Sequence, residues 1–248
     1  MVEHVQEDLA GSRFENVDLN GSRFHNVDLS GAVIRGALLT GAEIDGDIDG
    51  LRVNGVAVAP LVEAELDRRY PQRPKMRPTD AEGFRVAWAA LEQLWPLTVD
   101  RARRLSPELL HERVDGEWSF IETLRHLVFA TDAWVLRAVL GDPAPYHPLG
   151  LPHTEMGDVP GVPNDPDVRP SLEEVLAVRA DRTGTVREVL AGLTDERLAG
   201  DTDPVLAAGY PPPAAYAVRR CLGAIINEEW LHRLYAERDL DVLERRRG

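Results

Sequence analysis

Two side chains near the end of the chain could hold a metal ion together. Glu228 and His232 lie four residues apart in the stretch 224–235, where helical spacing puts both on one otherwise apolar stripe. A carboxylate and an imidazole one turn apart on an inward-facing stripe can bind a divalent ion if a third ligand faces them. His126, inside a second strongly helical stretch at 124–129, is the best third donor. The predicted metal site is therefore His126, Glu228 and His232.

Other residues compete for these roles. Glu229 lies three residues before His232 and could replace Glu228 as a ligand, but Glu228 lies nearer the apolar stripe. Glu122 precedes His126 by four residues, and a role as a helix cap accounts for it. Cys221 is predicted to be a small buried apolar residue, because no base lies beside it in sequence. A buried Glu-His pair that is only hydrogen-bonded is the alternative to a metal site.

Composition limits the classes of partner. The chain has 248 residues, of which 28 are basic and 42 acidic, and its net charge of −14 argues against nucleic acid and anionic membrane surfaces as partners. A single cysteine excludes an intramolecular disulfide and fits a reducing compartment. The N-terminus has no basic region followed by an apolar core, as a secretion signal would have, and no stretch is long and apolar enough to span a bilayer. We predict a cytoplasmic protein without nucleic-acid or membrane partners.

Four predicted helices would position the site. Capping-box patterns mark the starts of three of them: Thr79 with Glu82, Ser119 with Glu122, and Ser171 with Glu174. The first helix contains Pro96, which is expected to kink it. The second extends from Ser119 to Leu140, the third over about 171–193, and the fourth from after 211–213 to about Arg238. Four helices with matching apolar stripes predict a four-helix bundle, with the site on its second and fourth helices.

A long crossover separates the second and third helices. Residues 141–170 contain eight prolines and no periodicity. Thirty residues are too many for a simple turn, so the segment is predicted to cover one end of the bundle or to form a lid, which would let His147 and His153 approach the site. The length also permits parallel second and third helices, as in an up-down-down-up bundle.

The first fifty residues repeat with a period of five, which neither an α-helix nor a flat strand has. Large apolar residues recur at Phe14, Leu19, Phe24, Leu29, Ile34, Leu39 and Ile44, and Ser12, Val17, Ser22, Val27, Ala32, Ala37 and Ala42 each precede one by two positions. Residues 10–49 thus resemble the pentapeptide-repeat family, in which both positions point into a right-handed quadrilateral β-helix. The resemblance implies about two coils, whose open end would need a dimer partner or docking on the bundle.

Between repeats and bundle, residues 51–58 alternate around Asn54-Gly55 and predict a β-hairpin. Pro60 opens a short helix to about Tyr70, and 71–78 reads as a linker because it contains three prolines. The predicted fold class is α+β. The predicted domains are 1–58 (pentapeptide-repeat β-helix plus hairpin), 59–78 (short helix and linker) and 79–248 (four-helix bundle).

Two motifs in the helical part resemble a known superfamily. Residues 116–127, Gly-Glu-Trp-Ser-Phe-Ile-Glu-Thr-Leu-Arg-His-Leu, and 227–233, Asn-Glu-Glu-Trp-Leu-His-Arg, look like the DinB/YfiT-like superfamily, especially its actinobacterial branch, over about 79–240. Members are up-down-down-up bundles that commonly bind a divalent metal through one histidine on the second helix and a His-x-x-x-His pair on the fourth. The resemblance puts ligands at His126 and His232, with Glu228 in place of the usual first histidine of the pair. Such a set could accept zinc, nickel or ferrous iron.

Two functions follow as expectations. The resemblance implies a metal-dependent S-transferase or isomerase that uses a low-molecular-weight thiol of the mycothiol type and a small electrophile. The alternative is a noncatalytic binding or scaffold protein whose repeats mediate dimerisation or protein contact. A measurement of bound metal would separate the two, because only the first function depends on the ion.

Overall fold

The computed structural model describes residues 4–5, 7–24 and 26–246, and the chain divides into two compact units between Ile48 and Asp49. In the described part of the second unit, two short strands and six α-helices follow one another: β1 Arg52–Val53, β2 Val56–Ala57, α1 Ala59–Arg69, α2 Ala81–Ala102, α3 Phe120–Thr131, α4 Leu172–Ala191, α5 Asp195–Ala199 and α6 Val218–Arg246. α3 continues directly into a π-helix over Asp132–Val139. The unit is therefore mostly helical, with one small sheet.

In the first unit, the backbone turns with the five-residue period of the sequence. Left-handed conformations occur at Gly11, Asn16, Gly21, Asn26, Gly31, Gly36, Gly41 and Gly46. Glycine and asparagine are the residues that adopt this conformation most readily. Residues 7–24 and 26–48 contain no assigned strand, and the repeated apolar side chains are exposed, Phe14 by 64% and Ile34 by 66%. The β-helical coil with inward-pointing apolar residues therefore stays a prediction.

The hairpin predicted at Asn54-Gly55 is confirmed. β1 and β2 pair antiparallel, with Arg52 opposite Ala57. Asn54 and Gly55 have φ of 50° and 82°, as the two central residues of a tight hairpin turn require. The segment predicted as a linker contains a short 3₁₀ turn, Arg73–Met76, which packs against α2 and α6. The three-part domain division stays a prediction.

Two of the three predicted capping boxes are confirmed. Ser119 and Ser171 each accept a hydrogen bond from the backbone N–H three residues on, and the glutamate at that position accepts one from the serine N–H. The third prediction is wrong, because α2 is capped by Asp80 and not by Thr79. The Asp80 carboxylate accepts from the Gly83 N–H at 2.7 Å. Both residue types cap helices well, and the extended backbone at Asp80 puts its carboxylate within reach of that N–H.

α2 contains Pro96 and extends to Ala102 as one helix, and the kink expected at Pro96 stays a prediction. One helix extends beyond its predicted end. α6 reaches Arg246, beyond the predicted end near Arg238, because Leu240 and Leu243 continue its apolar stripe into the core. Although α6 is long, charged residues interrupt it. Among the described residues no helix is both long and apolar enough to cross a membrane.

The four long helices pack as a ring around the core. α2 and α3 each contact both α4 and α6. One buried cluster joins Phe84, Leu91, Leu190 and Ile225, and a second joins Val99, Leu124, Val175 and Leu240. α6 thus lies between α2 and α3, so its side chains can meet those of α3 inside the bundle.

Residues 141–170 contain no helix or strand and pack along α3, where Met156 and Val162 contact Phe129 and Ala133. A buried arginine on α3 holds this crossover in place. The guanidinium of Arg125 donates to the carbonyls of Leu149 at 3.0 Å, Val168 at 2.8 Å and Asp165 at 2.6 Å. The crossover is therefore held directly beside His126, the next residue on the helix.

Candidate metal centre

The side chains of His126, Glu228 and His232 converge. Oε2 of Glu228 lies 3.2 Å from Nε2 of His126 and 3.0 Å from Nε2 of His232. One candidate ligand atom from each residue lies within 4.8 Å of the other two. Across the residues that the structure describes, this is the group of three or more His, Cys, Asp or Glu side chains with such a spacing. The structure thus brings together the three residues predicted as ligands.

Two helices position these side chains. The Ser119 capping box starts α3, whose second turn carries His126, while a spacing of four residues puts Glu228 and His232 on one face of α6. The side chain of His126 is 7% exposed, that of His232 17% and that of Glu228 30%. The cluster is closed on the α3 side and reaches solvent on the Glu228 side, where a ligand could approach.

The protonation of His126 follows from its second contact. Its Nδ1 lies 3.0 Å from the carbonyl oxygen of Leu151 in the crossover. A carbonyl can only accept a hydrogen bond, so Nδ1 must carry the proton and donate it. Burial lowers the pKa of His126 and outweighs the opposing effect of Glu228, so the neutral ring is favoured. A neutral imidazole protonated at Nδ1 has an unprotonated Nε2 with a free lone pair.

That lone pair faces a carboxylate. Burial alone would raise the pKa of Glu228, but hydrogen bonding and charge from the imidazoles outweigh burial and hold the pKa well below its usual range. With its proton on Nδ1, His126 cannot donate such a hydrogen bond from Nε2, so two electron-rich atoms, His126 Nε2 and Glu228 Oε2, meet at 3.2 Å. A proton or a metal cation between them would remove the repulsion, and burial of His126 disfavours the proton. Two imidazole nitrogens and one carboxylate oxygen suit zinc, nickel or ferrous iron, so the donor set fits a divalent metal.

Trp118 forms a wall of the cluster. The centroid of its ring system lies 4.5 Å from that of His126 and 5.7 Å from that of His232. A tight turn presents it: Asp115 and Gly116 have φ of 52° and 87°, and the Glu117 N–H donates to the Val114 carbonyl. The indole ring of Trp118 therefore lies against both imidazoles.

The competing candidates have other partners. The carboxylate of Glu229 is paired with the Arg179 guanidinium through contacts of 2.9 and 3.2 Å, and both side chains are buried. Glu122 completes the Ser119 capping box, as predicted. Cys221 is buried, and burial raises the pKa of its thiol to about 11, so the thiol stays protonated near neutral pH. None of these three residues lies in the donor cluster found among the described residues.

The two crossover histidines also have other surroundings. Nδ1 of His147 accepts from the Leu149 N–H at 3.1 Å, and the ring of His153 packs edge-on against Tyr210 with centroids 5.4 Å apart. In the described part of the chain, neither belongs to the donor cluster. The crossover instead contributes the Leu151 carbonyl to the site, a backbone group that no side-chain motif could reveal.

Sequence reasoning also missed the buried arginines near the site. Arg125 lies within the run Leu124-Arg125-His126-Leu127, and this apolar setting is a signal that its side chain is buried. The sequence indicates the ion pair of Arg179 with Glu229 less clearly, because the two residues lie on different helices.

Comparison with known families agrees with both predicted parts of the chain. A model described as DinB superfamily matches residues 90–236, more than half of the chain, and this range includes all three clustered residues. A model described as pentapeptide repeats matches eight copies over residues 8–44. No curated protein and no solved structure gives a match.

Proposed function

The chain belongs to the DinB superfamily, and we propose that it binds one divalent metal ion, zinc, nickel or ferrous iron, through His126, Glu228 and His232. The observation that carries this proposal is the convergence of the three side chains, with His126 Nε2 lying 3.2 Å from the Glu228 carboxylate while Nδ1 of the same ring contacts the Leu151 carbonyl. Three protein ligands leave further coordination positions for water or substrate. The partly exposed Glu228 side marks where those positions would open.

We further propose that the site catalyses thiol transfer or a thiol-dependent isomerisation. In the transfer reaction, the sulfur of a low-molecular-weight thiol of the mycothiol type bonds to a carbon of a small electrophile. The bond to the leaving group breaks with its electron pair, and the thiol proton passes to solvent. When bound, a divalent ion would supply Lewis acidity and lower the pKa of the thiol.

The chain's own residues have separate tasks in this proposal. His126 is held in one tautomer by Leu151, so its donor atom needs no rearrangement before binding. Glu228 stays ionised and supplies the negative charge that favours a cation. Trp118 shields both imidazoles from water on one side and offers an apolar surface to a substrate.

Metal analysis of protein purified without a histidine tag tests both parts. After separate loading with Zn²⁺, Ni²⁺ and Fe²⁺, we expect one ion per chain for at least one of them. The loaded protein should then consume mycothiol or glutathione with 1-chloro-2,4-dinitrobenzene, and a chelator should remove the activity. No metal under any loading condition would contradict the metal site. Stoichiometric metal without turnover of any thiol tested would contradict only the transferase.

A second candidate is a noncatalytic binding or scaffold protein whose repeats mediate dimerisation or protein contact. The exposed apolar side chains of the first unit favour it: Phe14, Phe24 and Ile34 are 64%, 61% and 66% exposed. We propose that these residues line short β-helical coils that associate with a second copy. Light scattering on the whole chain should then give the mass of two chains, and a single-chain mass at every concentration would contradict the dimer.

We also propose that α2, α3, α4 and α6 form an up-down-down-up bundle. Contacts between α2 and α4 occur in opposite order along the two helices: Arg85 with the Leu190 carbonyl, Glu92 with Arg187, and Arg103 with Glu173. Contacts with α6 occur in the same order along both segments: Thr79, two residues before α2, with Arg219, and Arg101 of α2 with Glu244. The long crossover would let α3 and α4 run parallel. An experimental structure with antiparallel α3 and α4 would contradict this order.

A further inference from the structure

We propose that Arg125 is a positioning residue for His126. Its side chain holds the crossover in the place from which the Leu151 carbonyl fixes the imidazole ring. The proposal rests on the proposed metal site for its effect on metal affinity. The effect on the ring itself does not need a metal, so the two proposals can fail separately.

The side chain of Arg125 is a clamp on the crossover. It is fully buried, and its three hydrogen bonds within the described part of the chain go to backbone carbonyls. Leu149 lies in the first half of the crossover, whereas Asp165 and Val168 lie near its end. One planar guanidinium thus joins two distant parts of the segment. A lysine ammonium is a compact point charge without this fork of donors, so it could not reproduce the three contacts with the same geometry.

The backbone of Arg125 makes the link to His126. The Leu151 N–H donates to the Arg125 carbonyl at 3.2 Å, and the Leu151 carbonyl accepts from His126 Nδ1 at 3.0 Å. Leu151 is two residues from Leu149, which the guanidinium holds. If the crossover moved away, the buried Nδ1–H would lose its acceptor, and the ring would rotate or change tautomer to recover a partner. Either change would remove Nε2 as a prepared donor.

Arg137 is a matched control. It follows Arg125 on the same continuous helical segment, is also buried, and also donates to backbone carbonyls: those of Pro143 at 3.2 Å, of Val205 and Pro211 at 3.3 Å, and of Ala207. None of these carbonyls is the acceptor of His126 Nδ1. A purely structural effect of losing a buried arginine should therefore appear equally in both variants, whereas positioning of His126 should appear only at Arg125.

The experiment compares R125K with R137K in the full chain. Long-range ¹H–¹⁵N spectra of the metal-free protein report which nitrogen of His126 carries the proton. Competition with a chromophoric chelator gives the Zn²⁺ dissociation constant, and thermal unfolding gives stability. We expect the wild type to show the Nδ1–H form, R125K to lose it and to bind Zn²⁺ roughly 10- to 100-fold more weakly, as changes next to a metal ligand do. R137K should keep both properties at a comparable loss of stability.

Several outcomes would overturn the proposal: an Nε2–H tautomer in the wild type, R125K with unchanged tautomer and affinity, or R137K with losses equal to those of R125K. Hydrogen exchange on the wild type covers the case in which R125K does not fold. The Leu151 amide should exchange as slowly as amides in the middle of α3, and exchange as fast as at exposed crossover positions would contradict the clamp. Failure of the wild type to bind Zn²⁺ would count against the metal site, while the tautomer and exchange measurements would still judge the role of Arg125.

Discussion

His126→Ala is expected to abolish stoichiometric metal binding. The variant removes the one proposed ligand that comes from α3 and leaves Glu228 and His232 as a pair on α6. Loss of an outer-sphere partner of a metal ligand already weakens binding by roughly 10- to 100-fold, so loss of a ligand should cost more than about 100-fold. His232→Ala should have an effect of the same order, because it also leaves two donors.

Isothermal titration with the metal that the wild type retains would measure this loss. His153→Ala is the matched control, because that histidine lies in the crossover with its ring against Tyr210, outside the donor cluster. We expect the control to bind the ion as the wild type does. Full metal occupancy in both His126→Ala and His232→Ala would show that the ion binds elsewhere, and the proposed site would be wrong.

Arg179→Ala is expected to lower the free energy of unfolding by about 3–5 kcal/mol, as the loss of one partner from a buried ion pair does. Arg179 and Glu229 are 7% and 2% exposed in their side chains, and two hydrogen bonds of 3.2 and 2.9 Å join the guanidinium to the carboxylate. Without the arginine, Glu229 would remain as a buried charge without compensation. The guanidinium also lies 4.9 Å from the ring centroid of Trp95, a contact that the variant removes as well.

Chemical denaturation of the variant and of Arg187→Ala would separate burial from simple charge loss. Arg187 lies on the same helix and pairs with Glu92, but its side chain is 62% exposed. Exposed pairs contribute about 0–1 kcal/mol, so this control should be nearly neutral. Similar losses of unfolding free energy in the two variants would mean that the buried ion pair stabilises the fold no more than the exposed one. Replacement of Arg179 and Glu229 together by apolar residues should restore much of the stability.

The parts of the site that follow helical spacing could be predicted. Glu228 and His232 share a face because four residues make about one turn. His126, inside a second strongly helical stretch, was the best third donor, and the resemblance to a known family pointed to the same residue. The acceptor of His126 could not be predicted, because Leu151 lies in a proline-rich segment without periodicity and contributes a backbone oxygen. The contact of Trp118 with both imidazoles could not be predicted either, since a turn rather than a regular element presents it.

The sequence also could not decide which of two adjacent residues caps α2, or where α6 ends. Thr79 and Asp80 are adjacent residues that both favour helix N-termini, and the extended backbone at the second one decided between them. The end of α6 was underestimated because a charged run hid the spacing of Leu240 and Leu243. In the repeats, the backbone turns with the five-residue period of the sequence, but burial of the apolar residues stays a prediction, because it depends on neighbouring coils.

The contact between His126 and Glu228 has a consequence for the chain as a polymer, because it joins residues 102 positions apart. An ion bound to both would act as a removable cross-link that closes a loop of about this length. By analogy with a disulfide, closing a loop of roughly 100 residues removes unfolded-state entropy equivalent to about 4.7 kcal/mol at 25 °C. Because the ion would bind the folded chain alone, its free concentration would set the melting temperature, and a chelator would act as a mild denaturant.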